Sequence, residues 1–355
     1  MRGGSNMSVT RLVVLITALL LLCGMTGTLP AAVSEDDEEF PLFDDQPLDE
    51  PLAFPDWFKL SFLDLPEDIE EAREAGKAGL IVYFGQKYCA YCRQFLEKDL
   101  TREDIQAYMR QHFDVIGIDI HGQRQVVDPS GNEYEEADYA VQEKTNFTPS
   151  VIFFDVEGNE VLRLRGYYPP YRFRAALEYI ADRHYRNERY RDFLARAGVP
   201  LVFEPGELSE EPFFLPGPYM LDRSRIPAER PLAVFFEQGN CHACDVLHTG
   251  PLADPEIRSL MEQLESVQLS FWEDTPVVTP AGERTTARRW ADELGLFYTP
   301  TLIIFAPNGD EIIRVDSVVQ FYRLRNVLEY ILDEGYRDHA TFQRWRESRR
   351  PRIYK

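Results

Sequence analysis

The decisive stretch is Gly79-Leu-Ile-Val-Tyr-Phe84, followed by Lys87-Tyr-Cys-Ala-Tyr-Cys92 and a helical pattern. A continuous apolar run of this length reads as a buried central strand. A C-x-x-C pair then opens a helix. The same signals return at Cys241-His-Ala-Cys244, shifted by 152 residues. Val126-Val127-x-Pro129-x-Gly131 returns as Val277-Val278-x-Pro280-x-Gly282, and Thr148-Pro149 as Thr299-Pro300, both shifted by 151. Aligned without gaps, 148–186 and 299–337 are identical at 17 of 39 positions, including Leu-Glu-Tyr-Ile at 177–180 and 328–331. One domain has been duplicated, with one residue deleted from the second copy.

The position of each pair suits thiol chemistry. At a helix N-terminus the unpaired N–H groups and the dipole favour an anion, so the thiolate of the first cysteine is stabilised. A thiolate is the species that attacks a disulfide. The second cysteine, one turn on, can close the intramolecular ring and resolve a mixed disulfide. The spacing predicts Cys89 and Cys241 as attacking thiols, with Cys92 and Cys244 resolving. Two rivals stand beside this reading. A structural zinc would gather all four cysteines in one site, whereas each pair lies inside its own repeat. An inert structural disulfide is the other, although a bridge across two residues closes too short a loop to stabilise much.

Further out, the pattern predicts a strand over Phe58–Leu63 and a helix over Pro66–Ala75. Thr101 with Asp104 reads as a capping box. A strand over Asp114–Ile120, a helix over Asp138–Lys144 and a hairpin of Val151–Asp155 with Glu160–Arg165 follow. A long amphipathic helix runs from about Tyr171 into the 190s. The domains expected are 57–195 and 213–345. Between them lies a linker, 196–212, whose proline-rich character runs on to 231, with one strand near Phe213-Phe214. Glu35 to Glu50 holds nine acids and no base, so 35–56 reads as a solvated, disordered tether.

The length of 355 residues suits two ordinary domains, and 44% hydrophobic residues suffice for real cores. Against 38 Lys and Arg stand 60 Asp and Glu, a net charge of −22. That excess disfavours nucleic acid and anionic membrane surfaces alike. Five cysteines are too few for a disulfide scaffold. Residues 1–34 carry Arg2 and Arg11 but no acid, then an apolar run from Leu12 to Leu22, then Gly24, Gly27, Pro30, Ala31 and Ala32. This is the layout of a secretory signal peptide. Left uncleaved, it would be a membrane anchor. Cys23 stands where a lipoprotein carries its lipidated cysteine, although Leu22 before it is not small. Cleavage near Ala31 or Ala32 leaves four cysteines, all in the two pairs, in an exported, periplasmic chain.

Cys89-Ala-Tyr-Cys92 with Thr148-Pro149, and Cys241-His-Ala-Cys244 with Thr299-Pro300, resemble the thioredoxin superfamily, which sets a cis-proline against a C-x-x-C. The resemblance implies an α/β chain of two tandem thioredoxin-like domains, each a mixed β-sheet flanked by α-helices. It also implies that Thr148 and Thr299 precede cis bonds at Pro149 and Pro300 and pair with an extended substrate segment like an added strand. The Val-Val-x-Pro-x-Gly hairpin and the run Arg165-Gly-Tyr-Tyr-Pro-Pro-Tyr-Arg-Phe173 resemble periplasmic thioredoxin-like proteins associated with sulfur oxidation. Tyr91 and the threonine before the proline resemble bacterial disulfide isomerases. Thioredoxin itself has Trp before the first cysteine and Gly-Pro inside the pair, whereas Tyr88 and Asn240 precede here, with Ala-Tyr and His-Ala inside. Tyr83 and Phe235 occupy the place of its buried aspartate, and the second copy lacks the first helix.

The function implied is an exported thiol–disulfide oxidoreductase that acts on protein substrates without a bound cofactor and is recharged by a membrane or periplasmic redox partner, as monomer or oligomer. The rivals are a binding module with structural disulfides and a metal carrier using the second pair. His242 either tunes the Cys241 thiolate or faces solvent. Cys241, His242, Cys244 and His248 together could ligate a soft metal. Asn146-Phe-Thr148 is a glycosylation sequon by chance, since it abuts the expected cis-proline. The basic tail, 346–355, reads with Arg344 as the solvated end of a helix, the acidic tether being its alternative partner.

Overall fold

The computed structural model describes residues 43–197 and 207–349. The leader expected over 1–34, the start of the tether, the middle of the linker and the end of the tail lie outside the described residues.

In the first copy Asp64 caps α1 (Leu65–Glu74), its carboxylate accepting the Glu67 N–H at 3.1 Å. β1 (Gly79–Gly85) follows, buried throughout. Cys89 opens α2 (Ala90–Arg93), which continues as a π-helix over Gln94–Asp99. Next come α3 (Glu103–His112), β2 (Phe113–Asp119), the hairpin of β3 (Gln125–Val127) with β4 (Glu133–Glu135), and α4 (Glu136–Gln142). β5 (Ser150–Asp155), β6 (Glu160–Arg165), α5 (Pro170–Ala181) and α6 (Tyr190–Ala197) complete it. The strand order is β2-β1-β5-β6, with β1 parallel to β2 and antiparallel to β5. Alternation along β1 makes two cores. Ile81 and Tyr83 meet Phe95, Ile105 and Phe173 on one face, while Leu80, Val82 and Phe84 meet Leu65, Ile69 and Tyr139 on the other. Each such side chain stabilises the fold by about 1.5–3 kcal/mol on burial.

The second copy runs β7 (Tyr219–Met220), β8 (Leu232–Glu237), α7 (His242–Thr249), α8 (Pro255–Met261), β9 (Glu265–Ser270), β10 (Pro276–Val278) and β11 (Arg284–Thr286). It continues with α9 (Ala287–Glu293), β12 (Thr301–Phe305), β13 (Glu311–Val315), α10 (Phe321–Leu332), α11 (Gly335–Asp338) and α12 (Phe342–Arg349). The order β9-β8-β12-β13 repeats the first sheet, again with the leading pair parallel. Among the described residues of the second copy, from 207 on, no helix precedes β8. Equivalent loops of the copies touch: the Val318 N–H bonds the Tyr167 carbonyl at 3.0 Å, and Gly166 lies against Ser317. Phe147 packs into the second core and Tyr298 into the first.

Several expectations differ from the fold. Phe58–Leu63 runs beside β2, the Lys59 N–H bonding the Val115 carbonyl at 2.8 Å, but it forms no ladder and leaves Leu60 and Phe62 in solvent. The Thr101 hydroxyl donates to the Glu97 and Lys98 carbonyls, so it closes the π-helix instead of capping α3. The long helix breaks at Arg183, φ +60°, which folds α6 back so that the Tyr190 and Phe193 rings pack, tilted, against Tyr179. The described part of the expected tether, 43–56, is anchored: Phe43, Leu52 and Phe54 pack on the first core. Its Leu48 and Leu52 N–H groups bond the Tyr88 and Lys87 carbonyls at 3.3 and 2.8 Å. The acids and prolines that suggest solvation sit between these apolar anchors. On the linker side, Phe214 bridges to Ser266 and Glu211 reaches His248, so this part belongs to the second domain. Helix α12 carries the expected tail on to Arg349, which lies over Trp345.

Candidate active sites

Both cysteine pairs form disulfides, with Cα atoms 5.1 Å apart for Cys89–Cys92 and 5.2 Å for Cys241–Cys244. Cys89 and Cys241 are the N-cap residues of α2 and α7, with extended backbone at φ −110° and −113°. Each sulfur accepts a hydrogen bond from the resolving cysteine's N–H, at 3.0 Å from Cys92 and 3.1 Å from Cys244. On reduction these donors and the helix dipole face the sulfur that would carry negative charge. Opposite them stand Thr148-Pro149 and Thr299-Pro300, both joined by cis bonds. Cys89 Sγ lies 3.5 Å from the Thr148 carbonyl oxygen, and Cys241 Sγ 3.9 Å from that of Thr299.

The surroundings of the two sites differ. In the first, the Arg323 guanidinium of α10 lies 3.3 Å from the centre of the Tyr91 ring, and its Nη2 donates to the Thr148 carbonyl at 2.7 Å. Gln86 Nε2 donates to Thr148 Oγ1 at 2.8 Å and to Gln343 Oε1 of α12 at 3.2 Å. The Tyr91 hydroxyl donates to Asp45 at 2.9 Å and accepts the Gln320 N–H at 2.8 Å. Burial pushes this phenol well above its ordinary value, so it remains a donor. Asp45 also accepts the Tyr322 and Arg323 N–H groups at 2.9 and 2.8 Å, supplying the start of α10 with the cap that Gln320 does not give. Thr148 is only 1% exposed.

At the second site His242 is exposed, and Ala243 and Thr299 are half-buried. Arg172 of α5, the counterpart of Arg323 in the first copy, lines the cleft with Thr299, Gln238 and Trp272, but no hydrogen bond joins Arg172 to Thr299. His248 turns away from the cysteines: Nδ1 meets Glu211 at 3.1 Å and Nε2 meets Glu237 at 3.0 Å. Burial opposes its charge, but the two carboxylates outweigh that and raise its pKa. With both ring nitrogens engaged, the four residues considered for a soft metal are not brought together, and among the described residues no group of three His, Cys, Asp or Glu side chains is placed to hold one. Tyr83 and Phe235 are buried beneath the sites where thioredoxin has an acid.

Sequence reasoning missed Arg323, Asp45, Gln86 and Gln343. One signal was present: Arg172 and Arg323 are identical across the 151-residue shift.

Among the described residues no helix is long and apolar enough to cross a membrane. No curated protein matches the chain. Among solved structures it is similar to a thioredoxin-fold protein from Helicobacter pylori, at 26% identity over 39% of this chain and 86% of that one, TM-score 0.32. A disulphide isomerase from Xylella fastidiosa Temecula1 is 18% identical over 42% of this chain and 99% of its own, TM-score 0.25. The oxidoreductase DsbH is 16% identical over 37% and 91%, TM-score 0.27. Two segments, 65–181 and 223–332, match the thioredoxin-like domain family. Together these segments span more than half of the sequence, and the chain belongs to the thioredoxin-like domain family.

Proposed function

We propose that the protein is an exported, periplasmic thiol–disulfide oxidoreductase that exchanges disulfides through Cys89–Cys92 and Cys241–Cys244, with proteins among its substrates. The observation that carries this reading is the repeated placement of an N-cap sulfur, its N–H donor and a facing Thr-Pro carbonyl. In the reducing direction the thiolate of Cys241 attacks one sulfur of a substrate disulfide. A mixed disulfide forms, the substrate bond breaks, and the leaving thiolate takes up a proton. The Cys244 thiolate then attacks Cys241 Sγ, closing the intramolecular bridge and releasing the second substrate thiol. Two electrons pass to the substrate, and no cofactor is needed. Oxidation is the reverse, and a membrane or periplasmic dithiol partner resets the pair. Tyr91 and His242 are the residues we assign to tuning, and Thr299 to backbone pairing with substrate, the role expected of Thr148 being blocked where Arg323 engages its carbonyl.

The test uses insulin reduction and oxidised-glutathione equilibration of the full chain. Cys89→Ser and Cys241→Ser should each abolish exchange at their own pair, and the double variant should be inert. Retained activity in the double variant overturns the proposal. The engaged Thr148 carbonyl favours one rival for the first pair, a structural bridge; resistance of Cys89–Cys92 to every thiol would establish it.

A further inference from the structure

The attacking cysteines are almost equally exposed, Cys89 at 6% and Cys241 at 7%, so their own burial does not distinguish the pairs. The facing carbonyl does. At the first pair Thr148 is already bonded by Arg323, and its hydroxyl by Gln86, which Gln343 of the second domain also contacts. An extended polypeptide would need that carbonyl as the edge of an added strand. At the second pair the corresponding arginine, Arg172, makes no such bond, and Thr299 is half-buried. Beside Tyr88, the residue before Cys89, lies a cavity of about 400 Å³ lined also by Arg325, which is paired with Glu256 and Glu329, by Arg349, which is paired with Asp333, and by Arg346 and Asp49. Such a space suits a small molecule and not a strand laid across Thr148.

We infer that Arg323 sets the substrate class of the first pair: in the packed molecule Cys89–Cys92 exchanges with small thiols and disulfides, and extended polypeptide is left to Cys241–Cys244. The inference rests on the oxidoreductase reading. Arg323 acts through Thr148 and Tyr91 and is a specificity-determining residue, not one that touches the reacting sulfurs.

The experiment isolates each pair in the full chain with Cys241→Ser/Cys244→Ser and Cys89→Ser/Cys92→Ser. Each reduced protein is offered oxidised glutathione or insulin, and the two exchange rates are taken as a ratio, which cancels any change in thiolate reactivity. The first pair should show an insulin-to-glutathione ratio at least tenfold below that of the second. Arg323→Ala should raise the ratio at least tenfold, in keeping with the loss of a charge-assisted hydrogen bond and a cation–π contact. Arg323→Lys, which can still donate to Thr148, should keep it low. Equal ratios for the two pairs, or a ratio unmoved by Arg323→Ala, overturn the inference. If Arg323→Ala loses its cooperative melt, the comparison of the two pairs decides alone. Failure of both pairs to react with oxidised glutathione would instead remove the oxidoreductase reading.

Discussion

Replacing Asp45 with alanine should weaken the whole molecule, although the residue stands outside both matched segments. The residue is 8% exposed, and its carboxylate accepts from the Tyr91 hydroxyl and from the Tyr322 and Arg323 N–H groups, all within 2.9 Å. Removing it takes the cap from α10, worth about 1 kcal/mol. It also leaves a buried phenol without its acceptor, at about 1–3 kcal/mol. The expected loss is on the order of 3 kcal/mol, which for a chain of this size lowers the melting temperature by about 4 °C. Asp45→Asn keeps an acceptor oxygen and should lose about 1 kcal/mol. Thermal melts of the oxidised protein followed by circular dichroism give these values directly. A double-mutant cycle with Tyr91→Phe should return a coupling of about 1 kcal/mol between the two side chains. A loss below about 0.5 kcal/mol for Asp45→Ala, or no coupling to Tyr91, would refute the anchoring role given to residues 43–56.

Other expectations follow from buried titratable groups and from one close approach. His248 has a raised pKa in the fold, so its contribution is complete below the unfolded value near 6.5 and is lost as pH climbs through the folded one. His248→Leu should therefore remove part of the fall in urea midpoint between pH 6 and pH 9; an unchanged fall would count against the Glu237–His248–Glu211 cluster as its source. Burial pushes the Asp99 carboxyl up to about 7, so the fold favours its protonated form and loses stability as pH rises from 4 through 7. Asp99→Asn should stabilise by on the order of 2 kcal/mol at pH 8 and leave pH 4 unaffected, as read from denaturant midpoints; equal effects at both pH values would contradict this. Gly166 has φ +104°, and a Cβ there would strike the Ser317 side chain. Gly166→Ala should cost about 2 kcal/mol or more in a thermal melt, and Ser317→Ala should recover part of it.

Much of this molecule was legible in the sequence because the duplication reads each signal twice. An apolar run before a C-x-x-C could be many things, but the same pair with a Thr-Pro at the same distance, met again 151 or 152 residues on, restricts the fold severely. What could not be read are relations between the copies. Arg323 looks like an ordinary first-turn arginine of α10 until the packing sets it over Tyr91, some 230 residues earlier in the chain. Asp45 sits in a stretch whose acids and prolines describe a tether, while the three apolar side chains that fasten it, Phe43, Leu52 and Phe54, are too sparse to form a period. The break at Arg183 is equally silent, since the helical pattern of α5 runs through it and only a left-handed backbone at one arginine turns the chain.

Gly166 against Ser317, and Tyr167 bonded to Val318, are each a position meeting its own counterpart. Two identical subunits related by a twofold axis would meet in the same manner. Such a dimer must wear the same residue on both sides of its axis. Two serines would collide there as surely as a Cβ on Gly166 meets Ser317. Joined in one chain, the halves are released from that constraint: one side can shrink to make room for the other, and of two inherited arginines one can bind a carbonyl while its twin leaves the matching carbonyl open. One chain holding both copies can therefore present, at two equivalent places, two different doors.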